Sequence, residues 1–242
     1  MKKKGVKSLM IVITVIFILG IGLFSYLFLN GLSGLHLKND YTVGQIKVAC
    51  VGDSITYGHG VNNWSKNNYP AVLQNLLGDE YNIQNFGVSG ATTQKTGDQP
   101  YVNTKSYNTS VKYDADILIF MLGSNDSKPY NWKDRESFKN EYVNLLNTYI
   151  SDNDSIKVYL CTVSKVYYDD KSQTSGPSTF DIQGDVVDII NDVIKEVAAE
   201  YSYNLIDIYS LTKENPEWFK DNIHPDANGA KAIAEEMYKN IK

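Results

Sequence analysis

Three short segments, far apart in the chain, hold the residue types that nucleophilic acyl transfer requires. They are Gly52-Asp53-Ser54, Gly123-Ser124-Asn125-Asp126 and Asp221-Asn222-Ile223-His224. A serine hydroxyl is a poor nucleophile until a base takes its proton. The histidines available are His36, His59 and His224. His36 lies near an N-terminal apolar segment. His59 sits in a glycine-flanked loop after Ser54, where it reads as a solvated loop residue or as part of a site lining. His224 stands just before the last predicted helix, with Asp221 three residues upstream. On a tight loop, that spacing can bring the carboxylate to imidazole Nδ1 and leave Nε2 free to face a serine. Taken alone, Ser54 also reads as a turn or helix-capping residue, and His224 as a helix-terminal histidine beside a surface acid. The Gly-x-Ser-x-Gly elbow is not present, because Thr56 stands where that motif has glycine.

Acyl transfer also develops an oxyanion that preorganised donors must meet. The Asn125 side-chain amide can supply one donor, the Gly87 N–H a second and the Ser54 N–H a third. Glycine suits the second position because it allows close backbone approach. The other reading makes Asn125 and its neighbouring glycine ordinary turn residues. Asp53 and Asp126 adjoin these positions and read as structural, holding their loops through backbone hydrogen bonds.

The elements that must position these residues alternate between strand and helix. Ile46 to Val51 is short and apolar and reads as a buried strand. Pro70 to Leu77 fits a helix, with proline in its first turn. Tyr81 to Phe86 is a second strand, and 90–110, rich in Thr, Asn, Gly and Gln, reads as mostly loop. Asp116 to Leu122 is apolar on both faces, as a central parallel strand should be. Asp134 to Ile150 carries Phe138, Tyr142, Leu145, Leu146 and Tyr149 at helical spacing. Lys157 to Thr162 is a fourth strand. Asp181 to Tyr201 is a long helix with Val186, Ile190, Val193 and Val197 on one stripe. Tyr203 to Ile208 is a fifth strand. Asp226 to Ile241 closes the chain as a helix. This alternation predicts an α/β fold of three layers, α/β/α, around a five-stranded parallel sheet. The flavodoxin-like order 2-1-3-4-5 is expected. Ligands bind beyond the carboxyl ends of such strands, and Ser54, Gly87 and Asn125 all follow strand ends.

Outside that domain, Leu9 to Leu29 carries no charged residue. A helix needs ~20 such residues to span a bilayer, so 9–29 is expected to be a transmembrane anchor. Lys2, Lys3, Lys4 and Lys7 mark segment 1–8 as cytoplasmic. Residues 30–44 then form an exposed linker, and 45–242 lie outside the cell. A cleaved signal peptide is the rival, but its apolar core runs only ~7–15 residues, and Gly31-Leu32-Ser33 is a poor cleavage site. Residues 1–44 hold five lysines against one aspartate, a net of +4, so 45–242 carry −9 of the overall −5. A domain this acidic repels nucleic acid and anionic headgroups. Nucleic-acid partners are therefore not expected, and membrane contact is limited to the N-terminal helix. Cys50 and Cys161 fall on strands that the predicted order separates, and read as two buried free thiols. Neither has metal-ligand spacing, and the chemistry outlined calls for no metal or cofactor.

Four blocks, Gly52-Asp53-Ser54-Ile55, Gly87 within Asn85-Phe86-Gly87, Gly123-Ser124-Asn125-Asp126 and Asp221-Asn222-Ile223-His224-Pro225, together resemble the SGNH hydrolase, or GDSL esterase/lipase, superfamily. They occur in the family's order across residues 45–242. The resemblance implies a three-layer α/β/α fold and Ser54 as nucleophile. It further implies Ser54, Gly87 and Asn125 as the oxyanion hole, and Asp221 with His224 completing the triad. Such families include lipases, thioesterases, carbohydrate esterases and acyltransferases, and fold does not choose among their substrates. Three features favour a short-chain, chiefly acetyl, ester on a carbohydrate: the outward location, the acidity and the lack of a long apolar lid. Tyr57, Trp64, Tyr130, Trp132, Tyr167 and Tyr168 fall in predicted edge loops and suit sugar rings, with Tyr130, Trp132 and Tyr167 as the chief substrate contacts. The chain's 18 tyrosines also admit a compositional origin for these aromatics. An acyltransferase acting on cell-surface glycans, a lipase, lysophospholipase or thioesterase of the same superfamily, and a non-catalytic binding module are the competing readings.

Overall fold

The structure is a computed structural model, and it describes residues 41–151, 153–170 and 172–242. The expected anchor at 9–29, the basic segment before it and the linker up to residue 40 lie outside the described residues. Among the described residues, no helix is long and apolar enough to cross a membrane.

Five strands form one parallel sheet: β1 (Ile46–Gly52), β2 (Tyr81–Gly87), β3 (Ile117–Met121), β4 (Lys157–Cys161) and β5 (Asn204–Ile206). Their order is β2-β1-β3-β4-β5, as the alternation predicts. In register, Gly52 pairs with Gly87 on one side and with Met121 on the other. The segments bearing Ser54, Gly90 and Asn125 therefore leave the sheet at one edge, side by side. The strand expected at 203–208 is shorter than its apolar run, because Asp207 caps a short helix there, accepting from Ser210 N at 3.0 Å.

In chain order the helices are α1 (Ser54–Tyr57), α2 (Trp64–Asn67), α3 (Tyr69–Leu77), α4 (Lys105–Tyr113), α5 (Arg135–Ile150), α6 (Gly184–Glu200), α7 (Ile208–Lys213) and α8 (Ala227–Ile241). Helices α4, α5 and α6 cover one sheet face. There Val51, Leu118, Phe120 and Leu160 meet Phe138, Tyr142, Val187, Ile190 and Ile194. Helices α3 and α8 cover the other, where Val48, Cys50, Ile119 and Met121 meet Leu73, Ile233, Ala234 and Met237. Every strand side chain of β3 is buried, which is why its sequence shows no alternation. The fold is thus the expected three-layer α/β/α arrangement.

Helix α4 departs from the expected loop at 90–110. The Thr104 hydroxyl accepts from Tyr107 N at 3.1 Å and starts the helix. Its apolar side chains against the core cluster are Tyr107, Val111 and Tyr113, and its one fully buried residue is polar, Ser110, bonded to the Tyr149 hydroxyl at 2.8 Å, a pattern too sparse to read as helical periodicity. Cys50 and Cys161 are buried free thiols, on β1 and β4 with β3 between them.

Candidate active site

Ser54 opens α1 immediately after β1. Its neighbour Asp53 is fully buried and accepts the Ile55 N–H at 2.9 Å, capping this single turn. Burial pushes the Asp53 carboxyl up to about 6, against the pull of the Ile55 N–H and the Ser124 hydroxyl. Asp53 thus serves the turn, and its carboxylate is not aimed at a histidine. The Ser54 side chain is free to leave the sheet edge.

His224 reaches Ser54 from the loop before α8. Its Nε2 lies 2.9 Å from Ser54 Oγ, and its Nδ1 lies 2.7 Å from Asp221 Oδ2. A carboxylate can only accept, so Nδ1 carries the proton and Nε2 accepts the serine O–H. Asp221 Oδ1 accepts the backbone N–H groups of His224 at 2.7 Å and Ile223 at 3.1 Å. Both oxygens of one carboxylate therefore set the loop and the ring together. Asn222, at φ +70°, turns outward and donates its amide to Asp169 Oδ1 at 2.7 Å. Its carbonyl accepts Tyr167 N–H at 3.0 Å.

Burial holds the His224 imidazole below the ordinary histidine value, Asp221 opposes this, and His59 reinforces it. For Asp221, burial would raise the carboxyl, but the hydrogen bonds from His224 prevail and bring it below its ordinary value. At neutral pH the pair is therefore neutral imidazole with carboxylate, the state in which a histidine can act as a base.

The donor set differs from the expected one at a single position. The Gly87 N–H donates to Asn85 Oδ1 at 2.9 Å, so it is committed within its own strand end. A Cβ on Gly87 would sit 2.2 Å from the Tyr57 backbone nitrogen. Glycine is required there so that β2 can approach α1, and Gly87 is a packing residue rather than an oxyanion donor. Three residues on, Gly90 turns at φ +82°. Its N–H, like that of Ser54, meets no protein acceptor among the described residues. Asn125 lies beside it, its amide donating to the neighbouring Ala91 carbonyl at 3.2 Å with its second N–H left over.

A buried network holds these two loops together. Asp126 accepts Thr93 N–H at 3.0 Å, Thr93 Oγ1–H at 2.7 Å and Gln94 N–H at 2.9 Å. Asn131 donates to the Asn125 carbonyl at 2.8 Å and accepts Asp98 N–H at 2.8 Å. Asp126 is therefore structural, as its position suggests, and burial lifts its carboxyl to about 6 despite these donors.

A serine hydroxyl, a tautomer-fixed imidazole, a carboxylate and unpaired N–H donors thus share one sheet edge. The model of the GDSL-like Lipase/Acylhydrolase family matches residues 50–232, which contain every one of them. The chain belongs to this family. A curated relative, an acetylxylan esterase of Xylanibacter ruminicola, is 33% identical over 211 residues. That match takes in 81% of this chain but 43% of the relative, so the chain spans less than half the relative's length. Among solved structures, the acetyl xylan esterase AlAXEase is similar with a TM-score of 0.64 at 22% identity, covering 81% of this chain and all of that one. A carbohydrate acetylesterase family member from Sinorhizobium meliloti gives a TM-score of 0.63 at 20% identity, covering 81% and 97% respectively. At these identities the structural likeness bears on the fold.

In this GDSL-family chain the aromatic residues expected to touch substrate divide. Tyr130 is 60% exposed, with Lys128 Nζ 5.8 Å from its ring centre. Trp132 instead packs on Phe138, centroids 6.1 Å apart, at the margin of the core. Tyr167 donates its hydroxyl to the Thr212 carbonyl at 2.5 Å and lays its ring on Phe219. Its hydroxyl and ring thus brace the His224 loop. The Tyr168 hydroxyl accepts Gly184 N–H at 3.1 Å, tying down the start of α6. Tyr57 and Trp64 stack on one another at 5.3 Å.

Two residues stand closer to the triad than their sequence context implies. His59 is exposed, as a loop histidine should be, yet its ring centre lies 4.2 Å from that of His224. Phe180 lies 5.3 Å from His224 and 6.4 Å from His59. Its one sequence signal is isolation, as the only large apolar side chain in the polar stretch 169–181. His59, Asp221 and His224 also place possible ligand atoms within 4.8 Å of one another. A cation there would compete with the Asp221–His224 hydrogen bond.

Proposed function

We propose that this chain is a serine carboxylic ester hydrolase acting on short-chain, chiefly acetyl, esters of carbohydrates. The observation that carries the chemistry is the unbroken chain of two hydrogen bonds, Ser54 Oγ to His224 Nε2 and His224 Nδ1 to Asp221 Oδ2. Ser54 attacks the ester carbonyl as His224 takes its proton. Asp221 stabilises the imidazolium so formed. The Ser54 N–H, the Gly90 N–H and the spare Asn125 amide proton meet the oxyanion. His224 returns the proton to the leaving alcohol, and water activated by the same imidazole then clears the acyl-serine. Hydrolysis is preferred over transfer to a glycan because the relatives named above are esterases. The carbohydrate acetyl ester is supported by the names of the relatives above and by the acidity of residues 45–242. The apolar, lysine-flanked segment 9–29 supports a single-pass anchor with the catalytic domain outside the cell. Protease treatment of intact cells that leaves this domain uncut would contradict that placement.

Substrate assignment is tested with acetylated xylo-oligosaccharides, ethyl acetate and longer acyl esters of one alcohol. The proposed enzyme turns over the sugar acetates with the highest kcat/KM. A preference for long acyl chains would replace this reading with a lipase.

Two expectations follow from the site. Asn125→Ala is expected to lower kcat by ~10²–10³, the usual effect of losing one oxyanion donor. Steady-state kinetics on a short-chain ester, with circular dichroism to confirm folding, checks it. The pH profile follows from His224, whose neutral form is the active base. Because burial holds its pKa below the ordinary value, the acid limb of kcat/KM should fall with a midpoint below about 6.5. Above that limb the imidazole is neutral and activity is retained. An acid limb centred well above this value contradicts the assignment.

A further inference from the structure

The connector between β4 and α6 ends in a tight reversal at Ser178 to Ile182. Ser178 N–H donates to the Ile182 carbonyl at 2.7 Å, and Pro177 and Gln183 form an antiparallel bridge. The Ser178 hydroxyl donates to the Tyr167 carbonyl, and Asn222 reaches Thr179 Oγ1 at 3.4 Å. The reversal is thus fastened to the loop that carries His224. At its tip Phe180 and Asp181 both adopt φ +60°, a conformation that non-glycine residues take at a penalty. The penalty is not offset by burial, since Phe180 remains 52% exposed. A strained backbone that presents a large apolar ring to solvent beside a reactive imidazole is a feature of sites, not of cores.

The geometry of the reaction fixes what that ring would meet. In the tetrahedral intermediate the oxyanion points to Ser54 N–H, Gly90 and Asn125. The leaving oxygen must face His224 Nε2, which protonates it as the carbon–oxygen bond breaks. The alcohol half of the ester is therefore on the His224 side. The rings that flank His224 are those of His59 and Phe180.

We propose that Phe180, with His59 alongside, is the leaving-group subsite: an aromatic platform against which the pyranose ring bearing the scissile ester packs. The electron-rich face of an aromatic ring complements the weakly positive C–H face of a sugar. This inference rests on the carbohydrate-ester reading and deepens it. Phe180 is a specificity residue, since no bond to it forms or breaks.

The test uses the full chain, with acetylated xylo-oligosaccharide and ethyl acetate as probes. The readout is the ratio of their kcat/KM values, sugar ester over ethyl ester. Phe180→Ala is expected to lower this ratio about tenfold or more, chiefly through a higher KM for the sugar ester. Phe180→Trp, which keeps a platform, is expected to hold the ratio near that of the wild type. If Phe180 only steadied the His224 loop, both substrates would lose activity together and the ratio would not move, which overturns the proposal. A wild-type enzyme that handles the sugar ester no better than ethyl acetate overturns the carbohydrate reading itself, and the subsite with it.

Discussion

Ser54→Ala is expected to lower kcat on short-chain esters by about 10⁴–10⁶-fold while leaving the fold intact. The size follows from what remains. Without the hydroxyl no acyl-serine can form, and the oxyanion donors and substrate contacts alone support only residual turnover. The fold survives because the serine side chain makes a single hydrogen bond, to His224. Its loss removes about 1 kcal/mol of stability, and alanine fits wherever serine does. Matched circular dichroism spectra and thermal midpoints within a few degrees, alongside the kinetic loss, check both halves. A variant that keeps a tenth of wild-type turnover shows that the nucleophile is elsewhere.

Asp221→Asn is expected to lower kcat by about 10³–10⁴-fold, through the proton rather than through the structure. Aspartate uses one oxygen to accept the Ile223 and His224 N–H groups and the other to accept from Nδ1. Asparagine can keep its carbonyl on the two backbone groups and turn its amide to the ring. The amide donates, so Nδ1 must become the acceptor and the ring proton moves to Nε2. That nitrogen can then no longer accept the Ser54 proton. The loop stays formed and the base is lost. The check is a kcat defect of that size with an unchanged thermal midpoint. A large drop in stability with proportionate loss of activity would instead assign Asp221 to the fold alone.

Much of the fold and the triad is legible in the sequence, for identifiable reasons. β3 is apolar on both faces because helices cover both faces, and a short unbroken apolar run is what a central covered strand demands. α5, α6 and α8 bury one stripe each, so their periodicity is strong. Their real starts, at Arg135, Gly184 and Ala227, fall within a few residues of the expected ones. Ser54, Asp221 and His224 stand out because so few histidines are available and one has a carboxylate at a workable spacing. Gly87 is where the sequence misleads. Its glycine is demanded by the approach of β2 to Tyr57, and its N–H is taken by Asn85. Neither fact is visible without the third dimension. The aromatics mislead for a related reason: Tyr167 and Trp132 are at the correct edge of the sheet, but their partners Phe219 and Phe138 come from other elements. Phe180 has no periodicity to announce it, and its role depends on which loop it is pinned to.

The central claim is that Ser54 is a nucleophile activated by His224. It is tested most directly by treating the full-length chain with a serine-directed phosphonate and mapping the adduct by mass spectrometry, with Ser54→Ala in parallel. The account predicts one equivalent of phosphonate on Ser54 and none on the variant. An adduct on another serine, equal labelling of the variant, or no labelling of the active wild-type protein would contradict it.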